Sequence, residues 1–228
     1  MSAPRRFASK KNCRSVEYKQ SGWKLSADGM SITFTDGNQA GTFALYCNGE
    51  ARKLILSSKI NRVRVIRRAD GYYAQCCLDL ERREKSQYTG TMIGLDLGLE
   101  HFYTDQHGNK VSCPKFLRRA ERRLKKHQRR LSRRFRKDSK GQSKNYLKQK
   151  QRLGKLHLKV QRQRRDWAIK LARCVVASND VVVYEDLQVQ NLVKNHHLAK
   201  SFALAVRSTF QDAAWSIFTG WLDYYGKV

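Results

Sequence analysis

Asp96 ends the apolar run Met92-Ile-Gly-Leu-Asp96, and Glu185 ends the run Val181-Val-Val-Tyr-Glu185. A carboxylate at the end of such a strand stands where open α/β sheets place their ligands. Two carboxylates brought together repel, and a divalent cation between them removes that repulsion. Magnesium or manganese suits an all-oxygen pair, and in paired sites such ions stabilise both the attacking and the leaving oxygen of phosphoryl transfer. Gly94 and Gly98 flank Asp96 and let other groups approach the strand closely. Strand-terminal acids also serve as helix caps or surface ion-pair partners, and spacing alone leaves both readings open.

Between the two acids lies a polycationic stretch. Of the 47 Lys and Arg residues, 25 fall between Lys115 and Arg173 against three acids, Glu121, Asp138 and Asp166, a formal charge of +22. Solvated helix faces mix Glu with Lys, because opposite charges four apart stabilise and like charges subtract. Here the rows Arg118-Arg119, Arg122-Arg123, Lys125-Lys126, Arg129-Arg130 and Arg133-Arg134 have almost no acidic partners, and they repel unless phosphates lie alongside. The whole chain carries +28 on 228 residues, so its partner is expected to be a nucleic acid bound through its backbone. The predicted contacts are Arg118, Arg122, Arg123, Lys126, Arg129, Arg130, Arg133, Arg134, Arg164 and Arg165.

A membrane is the rival partner of a basic chain. No apolar run approaches the roughly 18 residues of a spanning helix, and the start Met1-Ser-Ala-Pro-Arg-Arg has no apolar segment after its charges. A cytoplasmic protein with no membrane contact is expected. The six cysteines, Cys13, Cys47, Cys76, Cys77, Cys113 and Cys174, include no C-x-x-C pair, so free thiols and no zinc site are expected.

The elements that must position these groups divide near residue 89. Over residues 1–89 the turn signals Asp28-Gly29, Asp36-Gly37, Asn48-Gly49 and Asp70-Gly71 separate short alternating runs. Ser31–Thr35, Thr42–Tyr46, Ile60–Ile66 and Tyr72–Leu78 are predicted as antiparallel strands of a small β domain. Arg62, Arg64 and Arg67 mark either a charged edge strand or a contact with nucleic acid. Tyr72-Tyr73 and Tyr224-Tyr225 are expected to be half-buried packing residues rather than base-stacking groups.

Residues 90–228 read as mixed α/β. Strands are predicted at Met92–Leu97, His101–Asp105 and Lys110–Cys113, with a hairpin turn at Gln106-His-Gly-Asn109. Pro114 opens a helix whose Leu117, Leu124 and Leu131 recur every seven residues. A second helix runs from about Lys144 to Ala177, with Leu153, Val160, Trp167 and Cys174 at the same spacing. The loop 138–143 makes them antiparallel neighbours, a basic hairpin over 114–178. Asp180–Tyr184 is expected to be a buried central strand. His196-His197 falls in a polar loop, and Ser201 is predicted to cap a last helix carrying Phe202, Leu204, Phe210, Trp215, Phe218 and Leu222.

Taken in order, Gly94-Leu-Asp-Leu-Gly-Leu99, Pro114-Lys-Phe-Leu-Arg-Arg-Ala-Glu-Arg-Arg-Leu124, Gln163-Arg-Arg-Asp-Trp167, Val183-Tyr-Glu-Asp-Leu187 and Asn191-Leu-Val-Lys-Asn195 resemble TnpB, the OrfB-type protein of bacterial insertion sequences. The resemblance implies a β-barrel wedge domain followed by a RuvC-like, RNase H-fold domain. It also implies a guide RNA, a DNA target cut with magnesium, and catalytic, metal-binding carboxylates at Asp96 and Glu185. Asp186 is then a cap or outer group. The family adds a final strand, a four-cysteine zinc ribbon and a third aspartate, none of which the sequence carries. An incomplete copy with little cleavage of its own is therefore expected, or alternatively a non-catalytic or repurposed binder of nucleic acid. Without those elements the Phe210, Trp215 and Phe218 helix is expected to be partly uncovered and prone to self-association.

Overall fold

The computed structural model describes residues 14–35, 40–80, 88–98, 101–137, 141–185 and 211–227. The chain forms two compact units, Met1–Arg82 and Arg83–Val228.

In the first unit, β1 (Ser15–Lys19), β5 (Lys59–Arg67) and β6 (Tyr72–Asp79) form one antiparallel sheet in the order β1-β5-β6. β2 (Trp23–Leu25), β3 (Ser31–Phe34) and β4 (Gly41–Ala44) form another. Ile32, Phe34 and Val63 are buried between them, with Tyr18, Trp23, Leu25 and Val65 packed around. Among the described residues these are two separate three-stranded sheets that do not close into a barrel. β5 is a central strand, not the charged edge that its arginines suggested.

Asn48-Gly49 does not make the predicted hairpin turn. Asn48 caps helix α1 (Gly49–Ser57), its Oδ1 accepting from the Ala51 amide at 2.9 Å. Asparagine is as good an N-cap as a turn residue, and Glu50 in the first turn complements the positive helix end. Gly29 has the expected positive φ, 68°. Asp36-Gly37 lies outside the described residues.

In the second unit, β7 (Met92–Asp96), β8 (Tyr103–Asp105), β9 (Lys110–Val111) and β10 (Val181–Tyr184) form a sheet in the order β10-β7-β8-β9. β10 runs parallel to β7, and the other pairings are antiparallel. Helix α2 (Phe116–Arg133) leads through residues 134–143 to α3 (Lys144–Ser178), a 35-residue crossover that returns the chain to β10. Helix α4 (Gln211–Gly226) packs beside α3.

One face of this sheet carries the core. Leu95, Leu97, Phe102 and Tyr103 meet Ala168, Ala172 and Val175 of α3 and Ala214, Trp215, Phe218 and Leu222 of α4. Phe102 stands edge-on to Trp167 at 4.6 Å and to Phe218 at 5.2 Å, and its carbonyl accepts from Trp215 Nε1 at 3.2 Å. Trp215 and Phe218 are thus buried rather than uncovered, because α3 and the sheet enclose them. The self-association expected through this helix loses its basis at those residues. Phe210, Ser201, Phe202 and Leu204 lie outside the described residues. Tyr225 packs on Trp221 as expected, ring centres 5.3 Å apart.

Two further expectations fail. β10 is not a buried central strand: among the described residues it is the sheet edge, with Val181 and Val183 exposed. Cys174 is exposed, and the buried positions of α3 move from Leu153 and Val160 to Ala168, Ala172 and Val175. A straight helix drifts about 20° per seven residues, so a strict heptad walks off the buried stripe along so long a rod. The partner also changes, α2 at one end and α4 with the sheet at the other.

Candidate functional site

The parallel register pairs Val181 with Met92, Val182 with Ile93, Val183 with Gly94 and Tyr184 with Leu95. Asp96 ends β7 and Glu185 directly follows β10, so both acids stand at the carboxyl ends of these paired parallel strands. Side chains alternate between faces. Ile93, Leu95, Val182 and Tyr184 join the helix-covered core, whereas Met92, Gly94, Asp96, Val183 and Glu185 share the open face. Asp96 and Glu185 are exposed there and line a cleft of about 440 Å³ together with Gly94, Thr104, Gln106 and Val183.

Gln106, a turn residue by sequence, builds a wall of this cleft. Its Oε1 accepts from the Gly94 amide at 2.6 Å and its Nε2 donates to the Met92 carbonyl at 2.9 Å. The side chain thereby continues the β8 ladder past Asp105, where the backbone has already turned. A Cβ on Gly94 would lie 3.3 Å from Gln106 Oε1, so glycine keeps this approach open.

Asp105 also borders the cleft, but its carboxylate closes the β8–β9 turn. It accepts from the Asn109 side chain, the Asn109 amide and the His107 amide at 2.8, 2.8 and 2.9 Å. The Asn109 hydrogen bond holds this carboxyl below the usual aspartate value. Among the described residues no group of three or more His, Cys, Asp or Glu side chains gathers as a metal cluster. Asp186 and His196-His197 fall outside the described residues. The sheet edge is strapped by Asp180, which accepts from the Thr89 amide at 3.1 Å and the Gly90 amide at 2.6 Å. These bonds, Thr89 foremost, hold the Asp180 carboxyl below its usual value.

The basic residues separate into groups. Arg118, Arg122, Lys126, Arg129, Arg130 and Arg133 line one shallow trough of about 770 Å³ along α2. Glu121, in the same trough, pairs with Lys125 at 2.6 Å, as Asp166 does with Lys170 at 2.8 Å on α3. Arg134 instead donates to the Asn145 carbonyl at 3.3 Å, across the loop. Arg164 turns toward the sheet, half-buried near Cys113; burial lowers its pKa to about 10, so it remains charged at neutral pH. Arg123 and Arg165 are exposed outside the trough.

The hairpin is fixed in register by a polar group. Gln149 is 1% exposed, and its Nε2 donates to the His127 carbonyl at 3.0 Å and lies 2.9 Å from His127 Nδ1. Desolvation first, then the cations Arg130, Arg123, Arg152 and Lys126, pulls the His127 pKa below its usual 6.5. Neutral at pH 7, the ring can accept this bond through Nδ1.

On the sheet of the first unit, Glu17 takes up two of the suspected arginines. Arg62 Nη1 reaches its Oε1 at 3.2 Å and Arg64 Nε its Oε2 at 2.9 Å. The Arg64 hydrogen bond is the main cause that lowers the Glu17 pKa.

A four-stranded mixed sheet backed by helices, with two acids at the ends of its parallel strands and a cationic hairpin between them in sequence, defines a mixed α/β protein suited to polyanions. Residues 75–196 match the family OrfB_IS605, described as "Probable transposase", and the chain belongs to that family. The matched residues include Asp96, Glu185 and both helices of the basic hairpin. A protein of Streptomyces pristinaespiralis named "Putative RNA-guided DNA endonuclease" is 35% identical over 143 residues, covering 61% of this chain and 32% of that protein. A chain from the cryo-EM structure of a Cas12f1–sgRNA–target DNA complex shares the fold at a TM-score of 0.52 and 12% identity, over 93% of this chain and 48% of that one. The chain thus spans about a third of the curated relative and about half of the solved one. No described helix is long and apolar enough to cross a membrane.

Proposed function

We propose that this chain carries the metal-binding carboxylate pair and the polyanion-binding arm of a transposon-associated, RNA-guided DNA endonuclease of the TnpB type. In this reading residues 90–228 are a RuvC-like domain with the hairpin 114–178 inserted, and residues 1–89 a wedge-like β domain. Guide RNA and target DNA are the partners, and the cytoplasm is the compartment. The observation that supports it is that Asp96, the last residue of β7, and Glu185, the residue after its parallel neighbour β10, line one cleft.

The donor set fits a hard cation. Two exposed carboxylates, with the Thr104 hydroxyl on the same cleft, offer oxygen and no thiolate or imidazole. Asp96 and Glu185 would hold the ion, magnesium or manganese, and water would complete its shell. Once bound, the ion supplies charge stabilisation to a phosphodiester undergoing hydrolysis. The chain's own residues bind and orient: the α2 trough takes up backbone phosphates, and Gly94 leaves the floor of the cleft low enough for a backbone to approach. With Asp105 committed to its turn, two carboxylates bind the ion weakly, and cutting by the 228-residue chain is expected to be slow.

Manganese binding followed by electron paramagnetic resonance tests the pair. Asp96→Ala and Glu185→Ala are each expected to abolish it while RNA affinity stays within about twofold; manganese bound normally by either variant would refute the assignment. The trough is tested by salt: if about eight phosphates are engaged, log affinity falls against log salt with a slope of roughly −7. Replacing Arg122, Arg129 and Arg133 by alanine should bring that slope nearer to zero by about three. A slope that does not change removes the phosphate contacts from α2.

A further inference from the structure

We propose that the end of the β5–β6 hairpin is a stacking site for an unpaired RNA base, formed by Tyr72 with Arg14 and Arg67 beside it on a ledge of Val16 and Ala74. The proposal rests on the reading of the chain as an RNA-binding protein, and adds to the α2 trough a second site of different chemistry.

The register of the sheet β1-β5-β6 places these groups together. Arg67 pairs with Tyr72, and the Arg67 amide donates to the Arg14 carbonyl at 2.8 Å, carrying the β1–β5 ladder one residue past Ser15. Arg14, Arg67 and Tyr72 therefore stand abreast across three strands and on one face. The next row on that face is Val16, Val65 and Ala74, and the row after it is Tyr18, Val63 and Cys76. Val63 is fully buried, Val16 is 51% exposed and Tyr72 is 72% exposed, so the apolar surface rises out of the core and ends in an open ring. The expectation that Tyr72 is a packing residue fails here, because the second sheet covers only the inner row.

Charge favours a polyanion on this face. Arg62 and Arg64 have the opposite parity, lie on the other face and engage Glu17 there. Arg67 and Arg14 are separated from that carboxylate by the sheet itself. Asp70, the acid of the hairpin turn, accepts from the Tyr73 hydroxyl at 2.7 Å, which ties down the second tyrosine and leaves Tyr72 as the stacking ring. An aromatic face beside guanidinium groups receives an unpaired base and its flanking phosphates. RNA presents such bases in loops and bulges and is read chiefly through them, whereas a duplex keeps its bases stacked inside.

The test compares the intact chain with Tyr72→Ala and Tyr72→Phe for a single-stranded RNA 12-mer, an RNA duplex of equal length and single-stranded DNA of the same sequence. Tyr72→Ala is expected to lose about tenfold on single-stranded RNA and less than twofold on the duplex, and Tyr72→Phe to bind single-stranded RNA as the parent does. Equal losses on strand and duplex, no loss at all, or failure of the parent to bind single-stranded RNA would overturn the site. A larger loss on DNA than on RNA would overturn the RNA assignment. The Arg122, Arg129 and Arg133 alanine variant separates the two readings. Its effect on duplex binding reports on α2, while the strand-to-duplex contrast of Tyr72→Ala reports on the hairpin alone.

Discussion

The two faces of the four-stranded sheet are made from the same strands and have opposite economies. The helix-covered face alternates into Leu95, Tyr103, Val182 and Tyr184, packed against α3 and α4. The open face alternates into Met92, Gly94, Asp96, Val183 and Glu185, with Met92 68% and Val183 62% exposed. One face removes apolar area from water and sets stability. The other contributes little to folding, and is therefore where acids, a glycine and exposed apolar side chains can be held for chemistry.

The largest expected contrast is between a core ring and a carboxylate. Phe218→Ala should cost about 3 to 5 kcal/mol in chemical denaturation, since the ring is fully buried among Phe102, Tyr103 and α3. Asp96→Ala should change stability by no more than about 0.5 kcal/mol. A comparable loss at both would erase the distinction between the faces. Gln106→Ala lies between them, at about 1 kcal/mol, because it strips partners from the Gly94 amide and the Met92 carbonyl at the sheet surface. Its manganese affinity should fall as the cleft wall loosens.

Acid sharpens the comparison at the sheet edge. Asp180 has a folded pKa below its unfolded value of 3.8, so its contribution is complete above that value and is lost as pH falls through the folded one. In melts between pH 5 and about pH 2 the parent should lose stability that Asp180→Asn never had, and parallel curves would show that the strap is idle. The smallest effect belongs to Val183→Thr, within about 0.5 kcal/mol of the parent, as expected where a side chain already faces water.

How far the sequence foretold this arrangement depends on whether the signal was local. β7, β8, α2 and α3 were legible because periodicity and turn residues act within a few positions, and Asp96 and Glu185 because strand ends carried them in recognisable blocks. The exposure of β10 was not, since three consecutive valines read the same with one face covered or two. Asn48 carried two meanings, turn and cap, and only the helix that follows decided between them. Gln106 gave no signal, because its role comes from a side chain folding back on a strand twelve residues earlier. The drift of the buried stripe on α3, away from Cys174 and onto Ala172 and Val175, came from a change of neighbour that no window of sequence contains.

That long helix has a metrical consequence. α3 is unbroken from the Gln149 contact with α2 to Ala172 beneath the sheet, a distance of about 35 Å at 1.5 Å per residue. Thirty-five ångströms is also the length of about ten base-pair steps, one turn of duplex. Under the proposed reading such a rod would act as a ruler between a phosphate held by the hairpin and the carboxylates, so lengthening α3 by a few residues should displace where along the polymer cleavage falls rather than whether the polymer is held.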